Sequence, residues 1–194
     1  MHKKSSSYIH FMKLFRKNKK RTWLDKTFNS VSIIIFICLM IPQSFVLPVE
    51  KMKKSDYNQK SYWYYPWGKS GTHKGVDIFG KKGTSVVSPV RGFTFATGNG
   101  KHSGKYVIVL GPKLRFHYFA HLNSINTNVG NWNSLGEKIG TIGDSGNAKG
   151  KPAHLHYSIV SWLPHFWRID NDPQGYRKMF FLNPIEFLND CFKN

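Results

Sequence analysis

The sequence predicts an all-β domain, an antiparallel β-sandwich or open barrel, preceded by one N-terminal transmembrane helix. Three observations lead to this prediction. From Gly71 onward, short runs rich in Val, Ile, Phe and Tyr are broken by Gly and Pro. Before residue 183, no long stretch repeats apolar residues with the 3.6-residue period of a helix. An uncharged run at 28–47 is close to the roughly 20 residues that cross a bilayer.

The N-terminal part of the chain is organised around this apolar run. A basic segment precedes it: Lys13, Arg16, Lys17, Lys19, Lys20, Arg21 and Lys26. Positive charge on one flank predicts that this side stays in the cytoplasm. We therefore expect a cytoplasmic tail at 1–27 and an uncleaved single-pass signal-anchor of the inner or cytoplasmic membrane at 28–47. The C-terminal domain would lie in the periplasm or outside the cell. A cleavable signal peptide is the alternative, although the chain has no Ala-x-Ala site.

Composition limits the kind of partner. The formal net charge is +19, and residues 1–54 hold 12 Lys/Arg and 2 Asp/Glu, so about half of the charge belongs to the N-terminal part. The remaining positive charge suits an anionic polymer rich in carboxylates. A nucleic-acid partner is not expected, because no recognised nucleic-acid-binding module is present. An internal disulfide is not expected either, since Cys38 lies in the apolar run and Cys191 is almost at the C-terminus.

The elements of the exported part follow in order. Residues 48–60 are largely polar and charged, which predicts a linker, and the folded domain is expected at 61–190. Its opening segment, 61–68, is dense in aromatic residues and either packs over the sheet or forms one wall of a groove. Short β runs follow at 86–98 and 137–143, a hairpin is predicted from 105–110 and 115–121, and one helical turn is predicted at 183–188.

Two histidines near the C-terminal third of the chain suggest a metal site. His154 and His156 are two residues apart, and on a strand such side chains share a face with Cα atoms roughly 6.6 Å apart. Imidazole is the commonest protein ligand for zinc. The pair could therefore offer one or both rings to a metal, or one to the metal and one to its bound water.

A second pair of candidate ligands lies upstream. His73 and Asp77 are four residues apart with Gly75 between them and a β-prone run after them. A straight strand would separate the two by about 13 Å, so we infer a bend at Gly75 that brings His73 back toward Asp77. Two His and one carboxylate leave a fourth tetrahedral position for water or substrate, which is typical of catalytic zinc.

Four motifs together resemble the lysostaphin-like zinc peptidases of family M23, over about Tyr57 to Phe187. They are His-Lys-Gly-Val-Asp at 73–77, Phe-Ala-His-Leu at 119–122, Gly-Asp-Ser-Gly at 143–146 and His-Leu-His at 154–156. Those enzymes cut peptide bonds in bacterial peptidoglycan. The resemblance implies a lysostaphin-like fold and a Zn²⁺ ion held by His73, Asp77 and His156, with His121 and His154 as catalytic residues near the metal-bound water. Tyr157 and Ser158 depart from the residues usual after this pair, but neither is a ligand.

The strand that carries His121 gives a second reason to place this residue at the site. Regular alternation along 115–121 points His117, Phe119 and His121 in the same direction, so His121 could face the metal cleft. His117 has the same parity but no role in a motif, and it is assigned no function.

These observations predict a membrane-anchored zinc metalloendopeptidase that hydrolyses cross-links or stem peptides of peptidoglycan with a zinc-activated water. One of His121 and His154 would act as the base, and the other would hydrogen-bond the oxyanion. The alternative is a non-catalytic peptidoglycan-binding scaffold or amidase activator of the same fold. A phosphotransfer carrier is disfavoured, because that class works in the cytoplasm.

Overall fold

The computed structural model describes residues 22–193, so the predicted cytoplasmic tail lies mostly outside the described part. Helix α1 spans Trp23–Met40 and has no buried residue. By length and composition α1 could cross a membrane, and a signal sequence would fit the same description. The helix thus begins before the predicted span 28–47 and ends earlier, just ahead of Pro42, which has no backbone N–H to donate. The membrane assignment itself stays a prediction.

The folded domain is built from ten short strands, and every strand pair is antiparallel. The strands are β1 Val76–Phe79, β2 Ser85–Val87, β3 Gly92–Gly100, β4 Gly104–Gly111, β5 Arg115–Leu122, β6 Ser124–Ile125, β7 Trp132–Asn133, β8 Lys138–Thr141, β9 His154–Ser161 and β10 Phe181–Leu182. A seven-stranded sheet has the order β1-β9-β5-β4-β3-β7 with β10 beside β9, and a three-stranded sheet has the order β2-β8-β6. The predicted antiparallel all-β fold and the β4–β5 hairpin are confirmed.

Alternation along the central strands separates the core from the face that carries the predicted site. On β9, Leu155, Tyr157 and Ile159 are fully buried in the core. The alternate residues His154, His156 and Ser158 face the other way. Strand β1 alternates in the same manner, with Val76 and Ile78 fully buried. This period of two therefore places His154, His156 and Asp77 on one face of neighbouring strands.

The segment before the first strand belongs to the core. Val49, Met52 and Tyr57 are buried in the hydrophobic cluster, with Phe45 and Leu47 packed against it. Val49 and Tyr57 also pair with Val86 and Ile78 in isolated bridges. The packed domain therefore begins before residue 61, and the polar composition of 48–60 hides three apolar side chains that the core needs.

A short helix closes the domain. Helix α2 spans Pro184–Cys191 and is longer than the single predicted turn. The Asn183 side chain accepts a hydrogen bond from the Ile185 backbone N–H, and Pro184 occupies the first turn, as is common where a helix begins. Ile185 and Leu188 pack into the core from this helix.

Candidate metal centre and cleft

Three potential ligand atoms converge where the loop before β1 meets strands β1 and β9. His73 Nε2 lies 3.1 Å from Asp77 Oδ1 and 3.1 Å from His156 Nδ1, and the latter two atoms are 2.8 Å apart. Asp77 and His156 are direct cross-strand partners in the β1–β9 ladder. Among the residues that the structure describes, this trio is a group whose ligand atoms could hold a metal ion. The three predicted ligands are thus brought together.

Hydrogen bonds on the far side of each ring orient the two imidazoles. His73 Nδ1 is 2.9 Å from the Ser61 carbonyl oxygen, which can only accept, so Nδ1 carries the hydrogen and Nε2 is left with a lone pair. His156 Nε2 lies 3.0 Å from Ser158 Oγ, and donation to that hydroxyl leaves the Nδ1 lone pair facing the trio. A buried ligand nitrogen whose other nitrogen is hydrogen-bonded is the usual arrangement around protein-bound metals.

The donor set fits a zinc ion. Two imidazole lone pairs and a carboxylate oxygen within 3.1 Å of one another repel unless a proton or a cation lies between them. Ligand atoms of a tetrahedral zinc site, each about 2.0–2.1 Å from the ion, are separated by about 3.3 Å. The separations in the trio are slightly shorter than this, so binding requires only that the three side chains move slightly apart.

The charge of the trio is held on Asp77. Burial by itself raises the pKa of the Asp77 carboxyl, but the adjoining His156 and His73 rings outweigh burial and keep that pKa below its ordinary value. Burial also lowers the pKa of His156, which favours the neutral ring that a metal requires. The site therefore presents an ionised Asp77 carboxylate and favours a neutral His156 ring.

Gly75 allows the trio to form. A Cβ at this position would lie 2.5 Å from both Ser158 Oγ and the Tyr157 carbonyl oxygen, and 2.9 Å from His156 Cε1. Its φ is not positive, so the requirement is for close approach of the backbone to β9 rather than for a left-handed conformation. The loop can then run beside the strand and deliver His73 to Asp77.

His121 reaches the same cleft through a bulge. On β5, His117 and Phe119 are fully buried on the core face, so regular alternation would also turn His121 toward the core. Between the pairs Lys105–Leu122 and Val107–Phe119, strand β5 holds one residue more than β4. His121 has φ +64, a left-handed conformation that is uncommon for residues other than glycine. The alternation expected for His121 therefore does not hold, and the bulge turns its ring to the site.

The two histidines that were predicted to be catalytic lie beside the trio. The ring centroids of His121 and His154 are 5.0 Å apart, and those of His121 and His156 are 6.1 Å apart. His121 Nδ1 lies 3.0 Å from the Ser145 carbonyl oxygen, and His154 Nδ1 lies 2.8 Å from that of Pro152. Both carbonyls can only accept, so each neutral ring keeps its lone pair on Nε2.

The cleft also favours an uncharged His121. Burial lowers the pKa of His121 to about 4, although the Ser145 carbonyl partly opposes this effect by favouring the protonated ring. At neutral pH the His121 ring is therefore uncharged and able to accept a proton at Nε2.

A cavity of about 340 Å³ opens over Asp77 and His156 of the trio and over both of these rings. Its walls include Trp67, whose ring stacks on His73 with centroids 4.2 Å apart, and Phe79, whose ring is 5.5 Å from that of His154. Asn147 and Lys151 line the opposite side. This cavity can admit an extended chain whose reacting bond lies next to the candidate metal position.

Several residues that shape the site were not singled out in the sequence. Ser61 and Ser158 orient the two ligand rings, and Tyr118 stands edge-on to His156 with centroids 6.2 Å apart. The aromatic segment 61–68 contributes both to packing and to a wall of the cleft, since Trp63 is buried while Trp67 lines the cleft. None of these positions carries a local sequence signal, because each acts through a partner far along the chain.

The remaining histidines of the folded domain lie elsewhere. His117 is fully buried against Tyr157, and His165 contacts Ser161. His102 lies at the rim of the neighbouring groove and not on the trio.

Comparison with known protein families agrees with the family that the sequence motifs resemble. A model of peptidase family M23 matches residues 71–166, a segment that contains all five predicted site residues. The chain belongs to peptidase family M23 through this segment.

Individual relatives share parts of the chain. Over 88 residues, 45% of this chain, the sequence is 31% identical to peptidoglycan DD-endopeptidase ShyA of Vibrio cholerae, but the match spans only 20% of that relative's length. The catalytic domain of the antimicrobial peptidase lysostaphin from Staphylococcus simulans has a TM-score of 0.55 and 24% identity, with 70% of this chain and 94% of that domain covered. A zinc-containing peptidase from Vibrio cholerae has a TM-score of 0.50 and 23% identity, covering 60% of this chain and 36% of the other. The two structural likenesses show a shared fold.

Proposed function

We propose that this protein is a membrane-anchored zinc metalloendopeptidase that hydrolyses peptide bonds of bacterial peptidoglycan. The observation that carries the proposal is the convergence of His73 Nε2, Asp77 Oδ1 and His156 Nδ1 within 3.1 Å, with His121 and His154 beside them in one cavity. Membership in family M23 supports peptidase activity.

Zinc is the proposed cofactor. His73, Asp77 and His156 would hold it, and the zinc-containing Vibrio cholerae peptidase of the same fold supports this choice of metal. A zinc ion bound by three protein ligands lowers the pKa of a water in its fourth position to about 7 and polarises a carbonyl group. The ionised Asp77 carboxylate and a neutral His156 ring are protonation states that such binding requires.

The two neighbouring histidines would move the proton. His121 and His154 each hold a hydrogen on Nδ1 through a carbonyl acceptor, so Nε2 of one ring can take a proton from the attacking water. The ring that becomes protonated can then donate the proton to the leaving amine. The other ring is placed to hydrogen-bond the carbonyl oxygen as negative charge develops there.

The substrate and location rest on further support. The relative with 31% identity is named as a peptidoglycan DD-endopeptidase, and the basic balance of residues 55–194, with 17 Lys/Arg and 8 Asp/Glu, suits an anionic wall polymer. Helix α1 supports a single-pass anchor in the inner or cytoplasmic membrane, with the folded domain in the periplasm or outside the cell. Extraction of membranes with alkaline carbonate tests the anchor, because a spanning full chain stays in the pellet whereas a chain with a cleaved leader is released.

Metal depletion of the full chain in mild detergent tests the catalytic proposal. We expect purified peptidoglycan to release new free amines with the zinc-loaded protein, to release none after treatment with a chelator, and to release them again when zinc is restored. Asp77→Asn keeps the size of the side chain but removes the anionic ligand, so it should lose both bound zinc and activity.

The matched control is His165→Ala, because His165 is a histidine of the same domain that does not line the cavity. This variant should keep zinc and activity. Cleavage that persists without metal, or that survives in Asp77→Asn, would contradict the proposal. Wall binding without any amine release would favour the non-catalytic scaffold.

A further inference from the structure

A second cavity continues from the candidate active site. It measures about 810 Å³ and is larger than the cavity over the trio. Trp67, Asn147 and Lys151 line both cavities, so the two form one groove with the candidate metal position at one end. The part of the groove beyond the trio lies between the loop at 66–70 and the loop at 147–151.

The first wall of this groove is held in place by its own hydrogen bonds. The Trp67 backbone N–H donates to the Gly71 carbonyl at 2.7 Å, and Ser70 Oγ donates to the Trp67 carbonyl at 2.9 Å. Lys74 Nζ donates to the Ser70 carbonyl at 2.9 Å. Lys69 is an exposed residue of this closed loop and lines the groove.

The second wall is joined to the β3–β4 hairpin. The Asn147 N–H donates to the His102 carbonyl at 3.0 Å, and a Cβ at Gly146 would lie only 2.2 Å from the Gly104 nitrogen, so the two loops touch through their backbones. The Lys151 N–H donates to the Ala148 carbonyl at 2.9 Å. This wall presents the exposed side chain of Lys151 opposite the first wall.

The groove is positive and has no acidic side chain of its own. Lys69, Lys151 and His102 line the larger cavity without any Asp or Glu. Over the trio the one lining acid is Asp77, which belongs to the candidate metal centre. Within residues 22–193, neither lysine takes part in an ion pair, whereas Lys82 and Lys178 are paired with nearby aspartates. An anion bound in this groove would be attracted to both lysines.

We propose that Lys69 and Lys151 form a carboxylate-binding subsite, so that the protein acts on stem peptides with a free carboxylate and not on neutral bridges such as oligoglycine. This inference rests on the proposed endopeptidase function and specifies its substrate class. The exposed ring of Trp67 supplies an apolar surface between the subsite and the trio, against which the peptide backbone can lie. Binding of the carboxylate would place the reacting bond toward His121 and His154.

A pair of synthetic cross-linked stem peptides that differ only in having free or amidated carboxylates tests the proposal. With the zinc-loaded full chain in mild detergent, we expect kcat/KM to be about five- to tenfold higher for the acid peptide than for the amide, mainly through KM. The double variant Lys69→Gln/Lys151→Gln should remove this preference, because its kcat/KM for the acid peptide should fall to the value for the amide peptide. Added salt should raise KM for the acid peptide alone.

The control is Lys138→Gln, because Lys138 is an exposed lysine on strand β8 of the other sheet and should leave the preference intact. Equal cleavage of the two peptides by the unmodified protein, or an equal loss on both in the double variant, would overturn the subsite. Equilibrium binding of both peptides is measured in parallel. If neither peptide is cleaved, tighter binding of the acid peptide that depends on the two lysines supports the subsite while the endopeptidase proposal fails. Equal binding then overturns both.

Discussion

His117 must stay neutral in the folded protein, and replacing it should change how stability depends on pH. The ring is fully buried, Nδ1 lies 2.7 Å from the Tyr157 hydroxyl, and Nε2 has no hydrogen-bond partner. Burial, with a smaller contribution from the positive charge of Arg115, lowers the pKa of His117 to about 3. A proton on this ring would have neither solvent nor an anionic partner to stabilise it.

The sign and size of the effect follow from the two pKa values. In the unfolded chain the ring has an ordinary pKa of about 6.5 and takes up a proton below that pH, while in the folded protein it stays neutral until about pH 3. Stability is therefore lost as pH falls through this window. Between pH 7 and pH 5 the loss from His117 is about 2 kcal/mol, and it reaches about 5 kcal/mol below pH 3.

Urea unfolding of the full chain in mild detergent and chelator, followed by circular dichroism, measures this difference. His117→Leu leaves the Tyr157 hydroxyl without its partner, which costs about 1–3 kcal/mol at every pH. The informative comparison is therefore His117→Leu/Tyr157→Phe against Tyr157→Phe. We expect the variant without His117 to lose about 2 kcal/mol less stability than its reference between pH 7 and pH 5. Parallel losses in the two variants would show that His117 is not held neutral by the fold.

Three further predictions concern the site. Gly75→Ala should destabilise the fold by about 1–3 kcal/mol and weaken zinc retention, because the new methyl group meets the Tyr157 carbonyl and Ser158; urea unfolding and metal content measure both effects. Ser158→Ala removes the hydrogen-bond partner of His156 Nε2 and should lower zinc affinity about 10–100-fold in a chelator competition. His121→Ala should lower kcat about 10²–10⁴-fold on peptidoglycan peptides while the zinc content stays the same.

Two of these predictions have a matched control, and all three have a contrary outcome. Exposed Ser55→Ala should leave zinc affinity unchanged, and equal affinities for Ser158→Ala and the unmodified protein would remove Ser158 from the metal site. His165→Ala should keep normal turnover, so a normal kcat in His121→Ala would leave His121 without a catalytic role. If Gly75→Ala unfolds at the same urea concentration as the unmodified protein, β9 accommodates the extra methyl group without loss of stability, which contradicts the prediction.

Much of the fold could be predicted from local patterns in the chain. The β4–β5 hairpin and the alternation on β9 follow from β-branched and aromatic runs with a period of two. The buried segment at 45–57 could not be found in this way. Its polar residues are exposed, and Val49, Met52 and Tyr57 become core residues only because strands distant in sequence leave space for them.

The candidate site also combines features that local sequence patterns predict with features that they do not. Asp77 and His156 are brought together by simple strand pairing, and Gly75 was recognised in the sequence as the point where the chain bends. The structure adds the reason for the glycine, since the close approach of its backbone to β9 excludes a side chain. His121 lies at the site as predicted, but not for the predicted reason. Regular alternation would turn its side chain toward the core, and the bulge reverses that direction.

The sequence by itself determined the antiparallel β architecture, the apolar N-terminal helix and the residue types available for a metal, because these depend on local periodicity and on side-chain chemistry. Only the tertiary structure decided which way His121 turns, which hydroxyl and carbonyl groups orient the ligand rings, and which lysines face the groove. Those features arise where loops and strands far apart in the chain come into contact, and the register and bulges of the sheet set their positions.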